Sequence, residues 1–400
     1  MVELAETHLK LKTIDRSFHK IKPDFSRSSG CLLFDTNTQM HYMDLFGMYS
    51  SLALGYNHPI YNSEHFKKAV MDAVTVKITH NEMKSMPYDL FLDAFSQFAN
   101  ADQLFSHIQL TCTGSLAVEV AIKTAIFASN FTKRKIIRLK NSFHGITAYG
   151  NFASDPNGPA MDRLTGYPFF EDWPVVNTVN DLYQYVDDSV AAVLIEPIRC
   201  TAGDQYVDNE LFEVSRLLTK KFNIPLIFDE IQTGFGVTGK PWYFNHLAVQ
   251  PDIVVFGKKA QTSGVMVNSQ FSDIFEKAPT KLSVTFDGDV IDLIRCRFII
   301  EAMMQFRLLD SVSINGKRLC DQLKTFKFIK NVRGVGYLIA FDLESREKRD
   351  QFVRLMKKSG LLLNPTAEKT VRMRPPLSMT HDDINAVIQI IRTYSKVHNT

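Results

Sequence analysis

The sequence predicts an α/β protein whose core is a buried parallel sheet. Two apolar runs, Ile224–Phe228 and Ile253–Phe256, are short, rich in β-branched residues and accompanied by Pro225 or Pro251. Runs of this kind are typical of strands that are covered on both faces of a parallel sheet. A longer run, LAVEVAIKTAIF at residues 116–127, is apolar on nearly every side and predicts a buried helix.

The composition is that of an ordinary globular protein, with 45% hydrophobic and 22% charged residues in a chain of 400. This length predicts two or three domains. The net charge of +3 gives no reason to expect nucleic acid or an anionic membrane as a partner. The opening residues, MVELAETHLKLK, lack the apolar core of a signal peptide, and no run is long enough to span a membrane.

The cysteines have no paired spacing. We therefore expect reduced thiols, a cytoplasmic location and no metal site. The five positions are Cys31, Cys112, Cys200, Cys296 and Cys320.

Each of the two apolar runs is followed by ionisable residues that would be costly to bury without partners. The first run leads to Asp229 and Glu230, and the second leads to Lys258 and Lys259. In open α/β sheets, ligands bind beyond the carboxyl ends of the strands. An acid and an amine should therefore emerge on the side where a cofactor would bind.

This acid and amine fit pyridoxal phosphate (PLP). The cofactor needs a lysine for its Schiff base and an acid against its pyridine nitrogen. The carboxylate favours the protonated, electron-withdrawing ring, because a neighbouring negative charge stabilises the charged form. An unrelated acid and a surface lysine would give the same spacing, so spacing alone leaves both interpretations open.

Two further segments could contact such a cofactor. Thr113, Gly114 and Ser115 lie between a predicted strand and the buried helix. Free N–H groups and the helix dipole make this turn a candidate phosphate site, although an ordinary helix cap is the alternative. Phe143 follows the predicted strand Ile136–Leu139 and could stack on the pyridine face or pack in the core.

Several separated motifs resemble the class III aminotransferases, the group of ornithine, GABA and lysine ε-aminotransferases. The motifs are FDEIQTG, PDIVVFGKK and GVM, and they are most similar to those of the lysine ε-aminotransferases. The likeness extends from about Leu33 to Tyr394. It implies PLP fold type I, with a mostly parallel seven-stranded sheet in a large domain and a smaller α+β domain built from both termini. The implied bounds are 1–49 and 294–400 for the small domain and 50–293 for the large domain.

The resemblance also implies roles for individual residues. Lys258 would hold PLP and move a proton, since it keeps the family's distance from Asp252, although spacing cannot exclude Lys259. Asp229 would pair with the ring nitrogen and Phe143 would stack on the ring. The resemblance assigns no role to His144, for which a satisfied structural histidine is the usual outcome. Further cofactor contacts are implied for Gly114, Ser115, Glu196, Gln232 and, from the partner chain of a homodimer, Thr285.

The substrate-binding positions depart from the family pattern. Ile146 stands where the family has an arginine that pairs with a donor carboxylate, and an aliphatic side chain cannot replace that contact. Arg374 is implied to bind an α-carboxylate. Thr201 stands where the family has a glutamate that masks this arginine, so we expect Arg374 to be permanently open. Phe46 is a candidate at the mouth of the site, with core packing as its alternative.

Two features of the carboxy-terminal part concern helices. Residues 291–309, IDLIRCRFIIEAMMQFRLL, predict one long helix between the two domains. Thr380 and Asp383 have the spacing of a capping box before the last helix.

We expect an aminotransferase that moves an amino group from an amine or amino acid to an α-keto acid such as 2-oxoglutarate. A PLP-dependent racemase or decarboxylase is the alternative, because fold does not fix reaction, and Ile146 and Thr201 leave it open. A third possibility is a PLP-binding relative without turnover. The presence of Lys258, Asp229 and Gln232 argues against it.

Overall fold

A computed structural model of the chain describes residue 14 and residues 18–79, 82–160 and 173–397. Residues 1–12, for which we predicted no signal peptide, lie outside these ranges. Among the helices that are described, none is both long enough and apolar enough to cross a membrane.

The strands of the described residues form one large sheet and several small ones. In chain order they are β1 (Pro23–Ser29), β2 (Leu32–Asp35), β3 (Met40–Asp44), β4 (Ile78–Thr79), β5 (His107–Thr111), β6 (Lys135–Leu139), β7 (Val175–Val176), β8 (Val190–Ile195), β9 (Ile198–Arg199), β10 (Gln205–Tyr206), β11 (Leu226–Asp229), β12 (Ile253–Phe256), β13 (Ser263–Val267), β14 (Gly288–Asp289), β15 (Lys330–Val335), β16 (Leu338–Asp342), β17 (Leu361–Leu362), β18 (Asn364–Thr366) and β19 (Thr370–Met373).

Helices cover the sheets. The first helix is a four-residue turn in which the backbone of Met48 and Tyr49 is in the left-handed conformation. In chain order the helices are α1 (Gly47–Ser50), α2 (Glu64–Ala73), α3 (Met86–Ala99), α4 (Gly114–Ala128), α5 (Ala148–Ala153), α6 (Val179–Tyr185), α7 (Asn209–Lys221), α8 (Asp273–Lys277), α9 (Val290–Gln305), α10 (Leu308–Leu323), α11 (Arg346–Lys358) and α12 (His381–Val397).

The large sheet has the predicted architecture. In the described chain it contains seven strands in the order β5-β13-β12-β11-β8-β6-β7. Strands β12, β11, β8, β6 and β7 are parallel, and only β13 runs antiparallel to its neighbours. The prediction of a mostly parallel seven-stranded sheet is therefore confirmed.

Both faces of this sheet are covered, as the continuous apolar strands predicted. In β11, Leu226 and Phe228 face one hydrophobic core, which also contains Phe95 of α3. Ile227 faces a second core together with Ala121 of α4. Alternate side chains of one strand thus enter different cores, which explains why polar residues occur only where the strand ends.

The smaller sheets bring the two ends of the described chain together. Strand β17 pairs in parallel with β3, so Leu361 lies opposite Met43. A second four-stranded sheet has the order β15-β16-β19-β18. These pairings agree with a smaller α+β domain built from both termini, while the exact bounds at residues 49/50 and 293/294 stay predictions.

The prediction of one long helix over residues 291–309 is wrong. Helix α9 ends at Gln305 and α10 begins at Leu308. Arg307 between them has φ of +49°, a left-handed conformation that an α-helix cannot continue through. The predicted capping box is present, since Thr380 Oγ1 accepts from the Asp383 N–H and Asp383 Oδ2 accepts from the Thr380 N–H.

Candidate active site

The carboxyl ends of five strands of the large sheet meet around one cavity. Its volume is about 260 Å³. The segments that reach it follow β5, β6, β8, β11 and β12, as expected for a ligand site of an α/β sheet. The lining residues are Thr113, Gly114, Ser115, Phe143, His144, Gly145, Glu196, Thr201, Asp229, Ile231, Gln232 and Lys258.

Asp229 is the buried acid of this cavity, and His144 orients it. Asp229 Oδ2 lies 2.7 Å from His144 Nδ1, and both side chains are almost fully buried. Asp229 Oδ1 accepts from the Ile231 N–H at 3.1 Å. The sequence predicts only a structural role for His144, because its position after Phe143 does not reveal what the imidazole faces. In the fold it holds the carboxylate that is the candidate partner of the cofactor ring.

Glu196 fixes the backbone of the neighbouring turns. Its two carboxyl oxygens accept from the Phe143 N–H at 3.1 Å and the Cys200 N–H at 3.0 Å. Burial raises the pKa of Glu196 to about 7, with nearby His144 acting in the opposite direction. The contact to Phe143 anchors the aromatic residue where it lines the cavity.

The two adjacent lysines have different surroundings. Lys258 lines the cavity, and burial lowers the pKa of its amine. Lys259 points elsewhere, since its Nζ donates to the carbonyls of Leu52 at 2.9 Å and Pro375 at 3.1 Å. Burial lowers the pKa of Lys259 to about 7. The geometry therefore favours Lys258 as the amine that reaches a cofactor.

The turn before α4 is shaped by close packing. Thr113 caps the helix by accepting from the Leu116 N–H at 3.4 Å. Gly145 has φ of +110°, and a Cβ at this position would lie 2.4 Å from Ser115 Oγ. A side chain there would push the helix start away, so glycine keeps the free N–H groups of α4 at the cavity edge.

The residues around the cavity fit PLP. An amine from Lys258, a buried carboxylate from Asp229 and an aromatic ring from Phe143 face the same space as the N-terminus of a 15-residue helix. These groups match a Schiff-base lysine, a partner for the ring nitrogen, a stacking surface and a phosphate site.

Arg374 corrects one prediction. We expected this arginine to be permanently open, because Thr201 cannot mask it. Instead, Arg374 Nη2 donates to Asp204 Oδ1 at 2.5 Å, and both side chains are almost fully buried. The physical reason is that Asp204 lies three residues after Thr201, on a loop that brings its carboxylate to the guanidinium.

Three other predicted residues lie outside the cavity lining of the single chain. Phe46 is half-buried and packs edge-on against Tyr49, with ring centroids 4.6 Å apart. Ile146 is 66% exposed and follows Gly145, which does line the cavity. Thr285 is exposed. The substrate-binding roles of Phe46 and Ile146, and the contact of Thr285 with a partner's cofactor, stay predictions.

The fold and this site define a class of protein. The family model described as "Aminotransferase class-III" matches residues 13–394, nearly the whole chain. The chain therefore belongs to the class III aminotransferases.

Individual relatives include lysine aminotransferases. The L-lysine-epsilon aminotransferase of Mycobacterium tuberculosis is 28% identical, over 92% of this chain and 90% of its own length. The enzyme of the same name from Streptomyces clavuligerus is 27% identical, over 92% of this chain and 89% of its own length. A solved lysine aminotransferase from M. tuberculosis, in the internal aldimine form, superimposes with a TM-score of 0.89 at 28% identity and covers 94% of this chain and 95% of its own.

This membership settles the class of reaction. The chain is a PLP-dependent transaminase, and its substrates are a small-molecule amino donor and a keto acid. The comparisons give no support to the alternative of a racemase or decarboxylase.

Proposed function

We propose that the chain transfers an amino group from an amine or α-amino acid to an α-keto acid such as 2-oxoglutarate, with Lys258 and Asp229 as its catalytic residues. The observation that carries this proposal is that the Lys258 amine and the buried Asp229 carboxylate line one cavity at the start of α4. PLP bound there would supply an electron sink for negative charge at the reacting carbon of the substrate.

The residues of the chain would divide the remaining work. Lys258 would carry a proton between carbon atoms, and burial suits it to this task because a lowered pKa leaves more of the amine neutral. Asp229, held by His144, would keep the ring nitrogen protonated. Phe143 would stack on the ring, Gln232 would contact the ring hydroxyl, and Gly114 and Ser115 would hold phosphate.

The surroundings of the cavity favour donors without a distal carboxylate. Among the described lining residues, Lys258 is the only lysine or arginine, His144 is paired with Asp229, and Thr201 and Gln232 contribute neutral groups. Ile146 offers no charge where the family has an arginine. A carboxylate far from the reacting amine would therefore be buried unpaired, which costs several kcal/mol.

We predict that an uncharged alkylamine and an α-amino acid such as alanine are better donors than lysine at its ε-amine or GABA. The difference in kcat/KM should be at least about 100-fold, because the distal carboxylates of lysine and GABA find no partner. Glutamate formed from 2-oxoglutarate measures the rate with each donor, and lysine with an isotopic label on its ε-nitrogen shows how much of that glutamate comes from the ε-amine. As a matched variant, Ile146→Arg should improve GABA and lysine selectively. If lysine reacts fast at its ε-amine, and the Arg374→Ala variant is equally fast, then another residue binds the distal carboxylate of lysine.

We also propose a homodimer in which Thr285 contacts the partner's cofactor. Thr285 lies between Val284 and Phe286, whose large apolar side chains are 55% and 41% exposed. Cys112 Sγ donates to the Phe286 carbonyl at 2.7 Å, so this segment lies beside the turn at Thr113. An exposed apolar segment at the edge of the candidate phosphate site supports contact with a second copy.

The dimer is tested by placing a charge in this segment. Phe286→Asp should shift the protein to monomers in analytical ultracentrifugation and release PLP, because a carboxylate would be buried unpaired in the interface. The control Ile314→Asp places the same charge at a 69% exposed site of α10 and should remain a dimer. A Phe286→Asp protein that stays dimeric and retains PLP would exclude this segment from the interface.

A cytoplasmic location is proposed as well. All five cysteines are free in the structure. Free cysteines without disulfide pairing support a reducing compartment.

A further inference from the structure

Lys259 is a buried lysine without a carboxylate partner. Its side chain is 2% exposed and is absent from the described lining of the cavity. Its Nζ donates to the carbonyls of Leu52 at 2.9 Å and Pro375 at 3.1 Å, and it forms no ion pair within the described part of the chain. Burial lowers the pKa of this amine, and the charge of nearby Arg374 lowers it further. Burying an amine without an acid is costly, and groups of this kind concentrate at functional sites.

The two carbonyls belong to chain segments that are far apart in the sequence and border the active site. Leu52 belongs to residues 45–54, the mouth segment, which contains the left-handed turn α1. Pro375 belongs to residues 374–378, the arginine segment, which begins at the residue implied to bind an α-carboxylate. Because the amine belongs to the residue after Lys258, it joins both segments to the lysine that reaches the cofactor.

The mouth segment and the arginine segment are also bonded to each other. The Arg374 N–H donates to the Leu45 carbonyl at 2.8 Å. The Leu377 N–H donates to the Ala53 carbonyl at 2.7 Å. Gly47 packs so closely that a Cβ at this position would overlap the Arg374 carbonyl oxygen. These contacts join the two segments into one unit.

Residues 258–261, the lysine loop, hold this unit with a second side chain. Gln261 Nε2 donates to the Ser51 carbonyl at 2.6 Å and to the Lys258 carbonyl at 3.1 Å. The backbone of both Lys258 and Gln261 is left-handed, with φ of +46° and +57°. Such a conformation is costly for a residue other than glycine and persists where surrounding contacts fix it. The position of Lys258 therefore depends on the contacts that its loop makes.

The guanidinium of Arg374 lies behind the wall of the cavity. Gln232 lines the cavity and accepts from Arg374 Nε at 3.1 Å. Lys259 bonds to the backbone of the next residue, Pro375, so it fixes the base from which the guanidinium extends. One amine is thus connected to the two groups that an α-keto acid would have to contact together.

We propose that Lys259 is a positioning residue that sets the distance between the Lys258 amine and Arg374, and thereby favours substrates with an α-carboxylate. This inference rests on the proposed function. In an α-keto acid the carboxylate is bonded directly to the reacting carbon, so the two binding groups must keep a fixed separation. An alkylamine has no carboxylate and needs only the cofactor and Lys258. A displacement of about 1 Å in such a geometry can lower a rate about 100-fold.

The test compares substrates with and without an α-carboxylate in the PLP-loaded Lys259→Met variant. Methionine keeps the length of the side chain but cannot donate to the Leu52 and Pro375 carbonyls. We expect kcat/KM to fall about tenfold for alanine and for 2-oxoglutarate, and to change by less than about twofold for an alkylamine donor. Most of kcat at saturating substrate should remain, because the Lys258 amine is still present.

Lys133→Met is the matched control. Lys133 Nζ also donates to a distant backbone carbonyl, that of Phe222, at 2.8 Å. It precedes β6 and so lies at the opposite end of the sheet from the cavity. The control should lower thermal stability and leave kcat/KM unchanged for all three substrates. Gln261→Met, at a half-buried position, is a second variant in case Lys259→Met folds poorly, and it should show the same selective loss.

Hydrogen exchange gives a readout that needs no turnover. The Leu377 N–H bonds to the mouth segment, so its protection reports how firmly the two segments are joined. In folded Lys259→Met, the amides of residues 52–54 and of Leu377 should exchange faster than in the wild type. Lys133→Met should leave their exchange unaltered.

A folded Lys259→Met protein with equal losses for the alkylamine and for alanine, or with no loss, would overturn the proposal and leave Lys259 as part of the buried structure. Unchanged exchange at Leu377 would overturn it as well. The proposed function is tested separately in the wild type, which should form glutamate from 2-oxoglutarate. A wild type without this activity would refute the function, whereas an active wild type and an equally selective Lys259→Met would refute only the positioning role.

Discussion

Lys258→Ala is expected to abolish amino transfer and covalent attachment of PLP. The variant loses the amine that holds the cofactor and moves the proton, and loss of the proton transfer alone should reduce kcat by about 10²- to 10⁴-fold. Borohydride reduction followed by peptide mapping measures the covalent attachment directly. The wild type should be labelled at Lys258, and Lys258→Ala should be unlabelled.

Lys259→Ala is the matched control, because it removes the adjacent amine. Lys259 Nζ holds the Leu52 and Pro375 carbonyls, so its loss should lower the thermal stability. The covalent label and most of the turnover should remain. A label that persists in Lys258→Ala and disappears in Lys259→Ala would assign the covalent role to Lys259.

The second large effect is expected for Asp229→Asn. The variant should retain PLP but lose turnover by roughly 10²- to 10³-fold, because a neutral amide no longer favours the protonated ring. Absorbance of bound PLP and kcat measured on the same preparation separate the two effects. Near-normal turnover in this variant would remove Asp229 from the mechanism.

Glu230→Gln is a suitable comparison for Asp229→Asn. Glu230 is the neighbouring buried acid, but it accepts from the N–H groups of Tyr243 and Phe244 and does not line the cavity. Its replacement should lower stability, because two buried N–H donors lose a carboxyl acceptor. Turnover per folded molecule should remain close to that of the wild type.

The parallel strands of the large sheet could be predicted from sequence, because a strand that is buried on both faces is apolar at every position. The run Ile224–Phe228 overlaps β11, which begins directly after Pro225 and ends one residue beyond the run, at Asp229. The same reasoning failed for residues 291–309. An apolar run does not show that Arg307 interrupts it, because this interruption depends on a single backbone angle.

The site could be predicted in part, because strand ends place Asp229 and Lys258 at one edge of the sheet. Contacts between distant segments could not be predicted. Asp204 and Arg374 are 170 residues apart. Comparison with the family pattern points to Thr201 as the position of the masking acid, and Thr201 is neutral. The contact of His144 with Asp229 was missed for the same reason, since these residues are 85 positions apart. Both contacts depend on loop geometry that the sequence does not reveal.

The most direct test of amino transfer follows the nitrogen itself. An alkylamine or alanine with an isotopically labelled nitrogen is incubated with the PLP-loaded enzyme and 2-oxoglutarate, and the products are analysed by mass spectrometry. We predict labelled glutamate, formed in equal amount to the carbonyl product of the donor, and none with Lys258→Ala. Racemised alanine, or a decarboxylated product, without labelled glutamate would contradict this account.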